Sequence, residues 1–191
     1  MNPRLNYTMI SLVYDVKKYR ELLEKTVRKN QVVIEIGPHV GKSTERYFKK
    51  TKLTVVVDKA EQTKNSFEKL LRENENLKFV QGDVRGFETI KKVLKLTKTC
   101  DVLAVDMGGG RYPDTVFKVW ATWSGVFKPK HSVIRNNGLA EFVQRAKIDD
   151  EKIMRKFGDD GWLSTWGRAT PYKLKKQLDE FSHWVNINEK L

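Results

Sequence analysis

The densest chemistry in the 191-residue sequence lies between Val32 and Thr44. There an apolar run, Val32-Val33-Ile34-Glu35-Ile36, meets Gly37-Pro38-His39-Val40-Gly41-Lys42-Ser43-Thr44. A buried strand entering a glycine-containing turn that opens a helix lets backbone approach a ligand closely and aims helix N–H groups at it. Gly41-Lys42-Ser43 has the form of the end of a phosphate-binding loop. That loop places four residues between its glycines, and here only three intervene, so nucleotide hydrolysis is the weaker reading. Asp58 follows the first glycine at the spacing, about 20 residues, where an acid receives ribose hydroxyls. Further along, Gln81-Gly82-Asp83 and Asp106 each close an apolar run. Asp106 then leads into Met107-Gly108-Gly109-Gly110-Arg111-Tyr112-Pro113-Asp114, whose three consecutive glycines suit close backbone approach or a mobile lid.

These residues must be held by an alternating scaffold. Val16, Tyr19, Leu22, Leu23 and Val27 fall at helical spacing before the strand Gln31–Ile36. Thr63, Phe67, Leu70 and Leu71 mark a helix after the strand Leu53–Asp58, and Phe87, Ile90, Val93 and Leu94 another between the strands Leu77–Gln81 and Asp101–Asp106. Val116, Val119, Trp120, Trp123 and Phe127 follow, then a strand over 132–136. Nearly wholly apolar strands alternating with amphipathic helices predict an α/β fold of three layers, with a mainly parallel sheet covered on both faces. No composition shift marks a boundary, so one domain is expected: a helical segment over 1–30, a core over 31–137 and an elaboration over 138–191. In that last part Leu139–Ile148 and Asp150–Phe157 have helical character. Thr170-Pro171 has the form of an N-cap opening a helix through Leu174, Leu178 and Phe181, and 185–187 suits a final strand.

Taken in order, these landmarks resemble the class I S-adenosylmethionine-dependent methyltransferase family. Its first motif is an acid, one residue, then glycines at alternate positions. Glu35, Gly37 and Gly41 match it, with His39 standing where the middle glycine usually is. Val126-Phe127-Lys128-Pro129-Lys130-His131 is similar to the family's lysine-proline-glycine-glycine turn, with the glycines replaced. The resemblance runs over residues 30 to 137 and implies a Rossmann-like fold, S-adenosylmethionine as cofactor and S-adenosylhomocysteine as product. It implies that Glu35, Gly37 and Gly41 form the methionine-side pocket, that Asp58 binds the ribose and that Asp83 binds the adenine, with Pro38, His39, Lys59, Gly82, Val84, Asp106 and Met107 as further cofactor contacts. Asp106 is the candidate catalytic residue, and Gly108, Arg111, Tyr112, Asn136 and Trp166 are candidate substrate contacts. The Asn/Asp-Pro-Pro-Tyr/Phe signature of amino-group methyltransferases is absent, and no cysteine stands in the loop to form a pyrimidine adduct. Asp106 with Asn136 and Asn137 could offer oxygens to a hard cation, but with one carboxylate among them a turn-forming role is preferred and no metal is expected.

The net charge of +13 raises the question of an RNA partner or a ribosome-associated protein. Residues 1–100 carry 22 Lys/Arg against 12 Asp/Glu and residues 101–191 carry 15 against 12, so the excess belongs to the cofactor half. Trp120 and Trp123 sit on an apolar helix face and are expected in the core. Trp162 and Trp166, beside Arg168, either pin a loop or stack on a planar substrate. A single cysteine, Cys100, and the absence of a long apolar run predict a cytoplasmic protein that is not embedded in a membrane. Three readings stand at this point: a methyltransferase, a cofactor-binding sensor or partner subunit that transfers nothing, and, as a distant third, a nucleotide hydrolase.

Overall fold

Six apolar segments of four to six residues form one sheet in the computed structural model, which describes residues 9–147 and 149. The strands are β1 (Met9–Val13), β2 (Val32–Ile36), β3 (Leu53–Asp58), β4 (Leu77–Gln81), β5 (Val102–Val105) and β6 (His131–Arg135). All neighbours pair in parallel, in the order β1-β6-β5-β2-β3-β4. The helices are α1 (Val16–Thr26), α2 (Glu61–Glu73), α3 (Phe87–Leu94), α4 (Pro113–Phe127) and α5 (Asn137–Arg145).

Strand alternation sorts the core into two layers. Ile34, Ile36, Leu103, Val105 and Ile134 face α3 and α4, meeting Ile90, Val93, Trp120, Trp123 and Phe127. Val33, Val56, Ala104 and Val133 face α1 and α2, meeting Tyr19, Leu23, Tyr47, Phe48 and Phe67. The expected three-layer α/β arrangement is thus present. The chain reverses its direction of winding at β2, which pairs with β3 on one side and β5 on the other. A crevice opens beyond the carboxyl ends of strands at such a point.

Two elements differ from expectation. The segment read as purely helical begins with β1, an edge strand beside β6. Met9 and Ile10 are 62% and 45% exposed, so its pattern lacks the unbroken apolar character of the central strands. The glycine turn also opens no α-helix. Between Gly41 and β3 the chain makes two 3-10 turns, Thr44–Arg46 and Phe48–Lys50, broken at Tyr47. Tyr47 and Phe48 are both buried, and the chain packs them against the sheet from the two short turns instead of from one continuous helix. Carbonyls that would extend a helix are taken elsewhere: Asn76 Nδ2 donates to those of Phe48 (2.8 Å) and Thr51 (3.1 Å). A phosphate-binding loop depends on a helix at this position, so the nucleotide-hydrolase reading loses its structural basis.

Trp123 joins the core to the cleft described below. Its ring is fully buried and stacks on Phe127 at 5.4 Å, while Nε1 donates to the Val84 carbonyl at 2.7 Å. Trp123→Ala should therefore cost about 3–5 kcal/mol, read from denaturant unfolding at constant slope. A loss below about 1 kcal/mol would show that this anchor is not needed.

Candidate functional site

A cleft of about 720 Å³ opens at the carboxyl ends of the central strands, within the range of small-molecule sites. β2 contributes Gly37, β3 Asp58 and Lys59, β4 Gly82, Asp83 and Val84, and β5 Asp106 and Met107. Pro38, His39, Gly108 and Tyr112 complete the set of expected residues that line it. Glu35, Gly41, Arg111 and Asn136 do not line it, and Trp166 lies outside the described residues, as do the helices and strand read in 150–191.

The narrowest point is the crevice between β2 and β5. The Asp106 N–H donates to the Ile36 carbonyl (3.0 Å), and a side chain at Gly37 would overlap the Asp106 carbonyl oxygen. Gly37 also has φ +74°, so glycine is required on both counts. His39, in the place of the middle glycine, keeps a left-handed backbone at φ 53° and lines the cleft. Histidine is among the side chains that tolerate this region, at about 1–2 kcal/mol.

Glu35 corrects a sequence expectation. Period-2 alternation turns it with Val33 toward α1, so it lies beneath the glycine loop instead of in the cleft. Its Oε2 accepts from Thr44 Oγ1 (2.5 Å) and Tyr47 Oη (2.6 Å), while Oε1 and the nearby Tyr19 Oη have no partner. Complete burial raises its pKa to about 7 against the pull of those two bonds. Gly41 rests on the Phe67 ring, away from the cleft wall. Asn136 is also buried, with both ends of its amide engaged. Oδ1 caps α5 at the Leu139 N–H (2.9 Å), and Nδ2 donates to the Arg111 carbonyl (2.7 Å). It braces the loop and is not placed to touch a ligand.

The acids of the cleft meet cations that sequence reasoning missed. Asp106 pairs with Arg135 at the end of β6 (2.9 and 3.2 Å), and the same guanidinium donates to the Gly109 carbonyl (3.1 Å). Burial raises the Asp106 pKa although Arg135 opposes it. Asp83 is gripped by Arg85 (2.6–3.1 Å). Burial pushes its pKa up, but the Arg85 hydrogen bonds and charge hold it below the usual range. Asp58 Oδ1 accepts from the Ala60 N–H (2.9 Å). Arg20 of α1, Lys42 and Arg135 also line the cleft. One signal was available for Arg135, a cation at the very strand end where the other strands carry acids.

The Gly108–Tyr112 loop is folded upon itself. Gly108, Gly109, Gly110 and Tyr112 all have positive φ, and the Tyr112 ring lies so close over Gly108 that a Cβ there would meet it at 2.7 Å. Arg111 packs 5.6 Å from that ring and donates Nε to the Gly108 carbonyl (3.2 Å). Arg111 thus supports the loop from outside, whereas Tyr112, 57% exposed, borders the cleft.

The family model for ribosomal RNA adenine dimethylase matches residues 11–106, from β1 through the whole strand-end constellation. The chain belongs to the ribosomal RNA adenine dimethylase family. Among solved structures it is similar to Aeropyrum pernix fibrillarin in complex with S-adenosyl-L-methionine. That match has 17% identity, a TM-score of 0.47, and coverage of 58% of this chain and 48% of that one. It is also similar to a precorrin 8w decarboxylase from Methanobacterium thermoautotrophicum, at 18% identity and TM-score 0.40, covering 58% and 60%. A third is Haemonchus contortus phosphoethanolamine N-methyltransferase 1, at 13% and 0.45, covering 59% and 23%. The chain spans less than two thirds of the length of each of these structures. No curated protein sequence matches it. The dimethylase match ends at Asp106, so the Met107–Tyr112 loop, which lacks the amino-group signature, lies outside it.

Glu35 makes a pH signature measurable. The folded chain holds this proton more tightly than the unfolded one, so stability falls as pH rises from about 4.5 toward about 7 and levels off above it. The drop is at most about 3 kcal/mol. Glu35→Gln should remove this part of the slope in urea titrations between pH 5 and 8. Identical slopes in the two proteins would contradict a buried, protonated carboxyl.

Proposed function

We propose that this chain is an S-adenosylmethionine-dependent methyltransferase acting on RNA, with S-adenosylhomocysteine as product. The observation that carries the reading is the cleft at the β2/β5 switch point, where Gly37 clears a passage and Asp58, Asp83 and Asp106 stand at successive strand ends. The cofactor would supply an electrophilic methyl group on a sulfonium. Of the chain's residues, Gly37 admits the ligand to the crevice and Asp58 has its Oδ2 uncommitted for ribose hydroxyls. Asp83, held by Arg85, and Val84, tied to Trp123, form the adenine end. Asp106 and Met107 flank the place of transfer, which needs chiefly alignment of a lone pair with the methyl carbon. Gly108 and Tyr112 would border the acceptor.

RNA is favoured by the family and by the cations at the cleft rim, Lys42 and Lys59, with Arg46 and Lys49 on the neighbouring turns. A ribosome-associated protein is the other acceptor that the net charge of +13 admits. No helix among the described residues is long and apolar enough to cross a membrane, and a cytoplasmic site of action accords with a ribosomal RNA partner. One observation favours a binding protein without transfer: Arg135 occupies both oxygens of Asp106. Incorporation of labelled methyl into total RNA separates the two readings, since a sensor binds the cofactor and labels nothing.

Calorimetric titration with S-adenosylmethionine, S-adenosylhomocysteine and ATP should show the first two binding and ATP not. Asp58→Ala should weaken both by about tenfold or more, the worth of a charged hydrogen bond. Binding of ATP alone would overturn the assignment. Affinity for a ribosomal RNA fragment should fall steeply with salt. Three single-strand phosphate contacts predict about a 20-fold loss between 50 and 200 mM. A flat salt response would remove RNA as the partner.

A further inference from the structure

Opposite the cleft, at the amino ends of the parallel strands, five segments lead into β2 to β6: 27–31, 50–52, 74–76, 95–101 and 128–130. They carry eight Lys and Arg residues against two acids, Glu75 and Asp101. The segments that leave the strands at the cleft end are 14–15, 37–43, 59–60, 82–86, 106–112 and residue 136, and they carry four cations against three acids. Positive charge is therefore concentrated at the end away from the cleft. Backbone bonds hold the basic segments side by side. The Lys130 N–H donates to the Asp101 carbonyl (3.0 Å), the Lys52 N–H to that of Gln31 (2.9 Å), and the Asn30 N–H to that of Lys50 (2.9 Å). With strands about 4.8 Å apart, the starts of β6, β5, β2 and β3 span about 14 Å. All eight cations but Lys50 are exposed, and among the described residues only Lys130 has a carboxylate partner, Asp101 at 2.8 Å. Helix dipoles do not account for the cluster. α1 holds Lys25, and α3 holds Lys91 and Lys92, within their own last turns, while Lys50 and Lys52 follow 3-10 turns and no α-helix.

We infer that this amino-end face binds the phosphate backbone of helical RNA and so anchors the chain on its substrate at a point remote from the acceptor. The inference deepens the RNA reading above and rests on it. Like charges crowded on one face repel each other, a cost that a polyanion lying across them offsets. The five segments contain no Phe, Tyr or Trp, so the face offers no platform on which a splayed base could stack. What it offers is a row of flexible cations, which suits phosphates and the shape of a duplex and carries no sequence preference. A strand of five residues is about 16 Å long, so the face and the cleft are separated by about that distance. A single nucleotide in the cleft cannot touch the face; a folded RNA that reaches round the sheet can.

The test measures binding of the full chain to a fluorescent RNA duplex of arbitrary sequence, about two helical turns long, across a salt series. Two variants that lose the same charge are compared. The face variant combines Arg28→Ala, Lys29→Ala, Lys52→Ala and Lys98→Ala. The control combines Lys17→Ala, Lys18→Ala, Lys64→Ala and Lys69→Ala on the exposed faces of α1 and α2. The face variant should bind the duplex about 10- to 100-fold more weakly at 50 mM salt, with a salt slope shallower by about 3. The control should stay within about threefold of wild type, and both variants should bind S-adenosylmethionine as wild type does. Equal losses in the two variants would overturn the inference, since any surface charge would then serve. Unchanged duplex binding by the face variant would overturn it and leave the RNA reading standing. So would wild type that binds a single-stranded ribosomal RNA fragment and not the duplex. Wild type that binds neither RNA but binds vesicles of anionic phospholipid would remove the RNA reading and this inference together. Should the face variant melt early, Lys95→Ala with Lys98→Ala decides by the same comparison.

Discussion

The ends of β2 and β5 approach each other so closely that nothing larger than hydrogen fits on Gly37 beside the Asp106 carbonyl. This approach is a consequence of sheet order. β2 must pair with β3 on one side and β5 on the other, so the loops leaving it and β5 pass to opposite faces. The residues after β2, β3, β4 and β5 then converge on one rim without any of them being neighbours in sequence. The two core layers hold the arrangement rigid. Glu35 fastens Thr44 and Tyr47 beneath the glycine loop, and Trp123 fastens Val84 above the other face. Cleft shape is thus set by buried contacts on both faces of the sheet, with little left to the loops themselves.

Charge follows the same geometry. Parallel strands that all end at one rim would crowd Asp58, Asp83 and Asp106 together. The structure answers with Arg85 beside Asp83 and Arg135 beside Asp106. Both pairs are partly buried, where an unmatched carboxylate would be expensive. The cations come from different places, Arg85 from the turn after β4 and Arg135 from the end of β6. Pairing therefore also ties the loops to the sheet. The Arg135 guanidinium reaches Gly109 as well, so one side chain fixes both the acid and the glycine loop.

The central strands were legible in the sequence because burial on both faces leaves unbroken apolar runs. Strand-end acids were legible because they interrupt those runs. β1 was not, since an edge strand with exposed Met9 and Ile10 has no such signature. The 3-10 turns were missed for another reason. Thr44, Tyr47 and Phe48 lie at spacings compatible with a helix, and what breaks it is the long-range demand of Glu35 and Asn76. Glu35 was placed in the right motif but on the wrong side, because motif position does not state which way alternation turns a side chain. Arg20 and Arg135 were hidden by a charge-rich composition in which two more arginines carry no information. Asn136 read as a possible ligand because its capping partner, Leu139, and the Arg111 carbonyl are contacts that only the fold supplies.

For the proposed methyl transfer, the loop after β5 bears most directly on the choice of acceptor atom. An exocyclic amine must donate its hydrogens as its lone pair turns toward the methyl carbon, and the site must offer acceptors for them. Here each acceptor already holds a hydrogen bond that fixes its direction. Asp106 accepts from Arg135 through both oxygens. The Met107 carbonyl accepts from Gly110, that of Gly108 from Arg111, and that of Gly109 from Arg135. Each of these oxygens keeps a further lone pair, so the bonds orient the loop's acceptors without closing it to an amine. The family match stops where this choice begins, at Asp106. The dimethylase match covers the chain up to that residue, and beyond it Arg135 ties Asp106 to the Gly109 carbonyl.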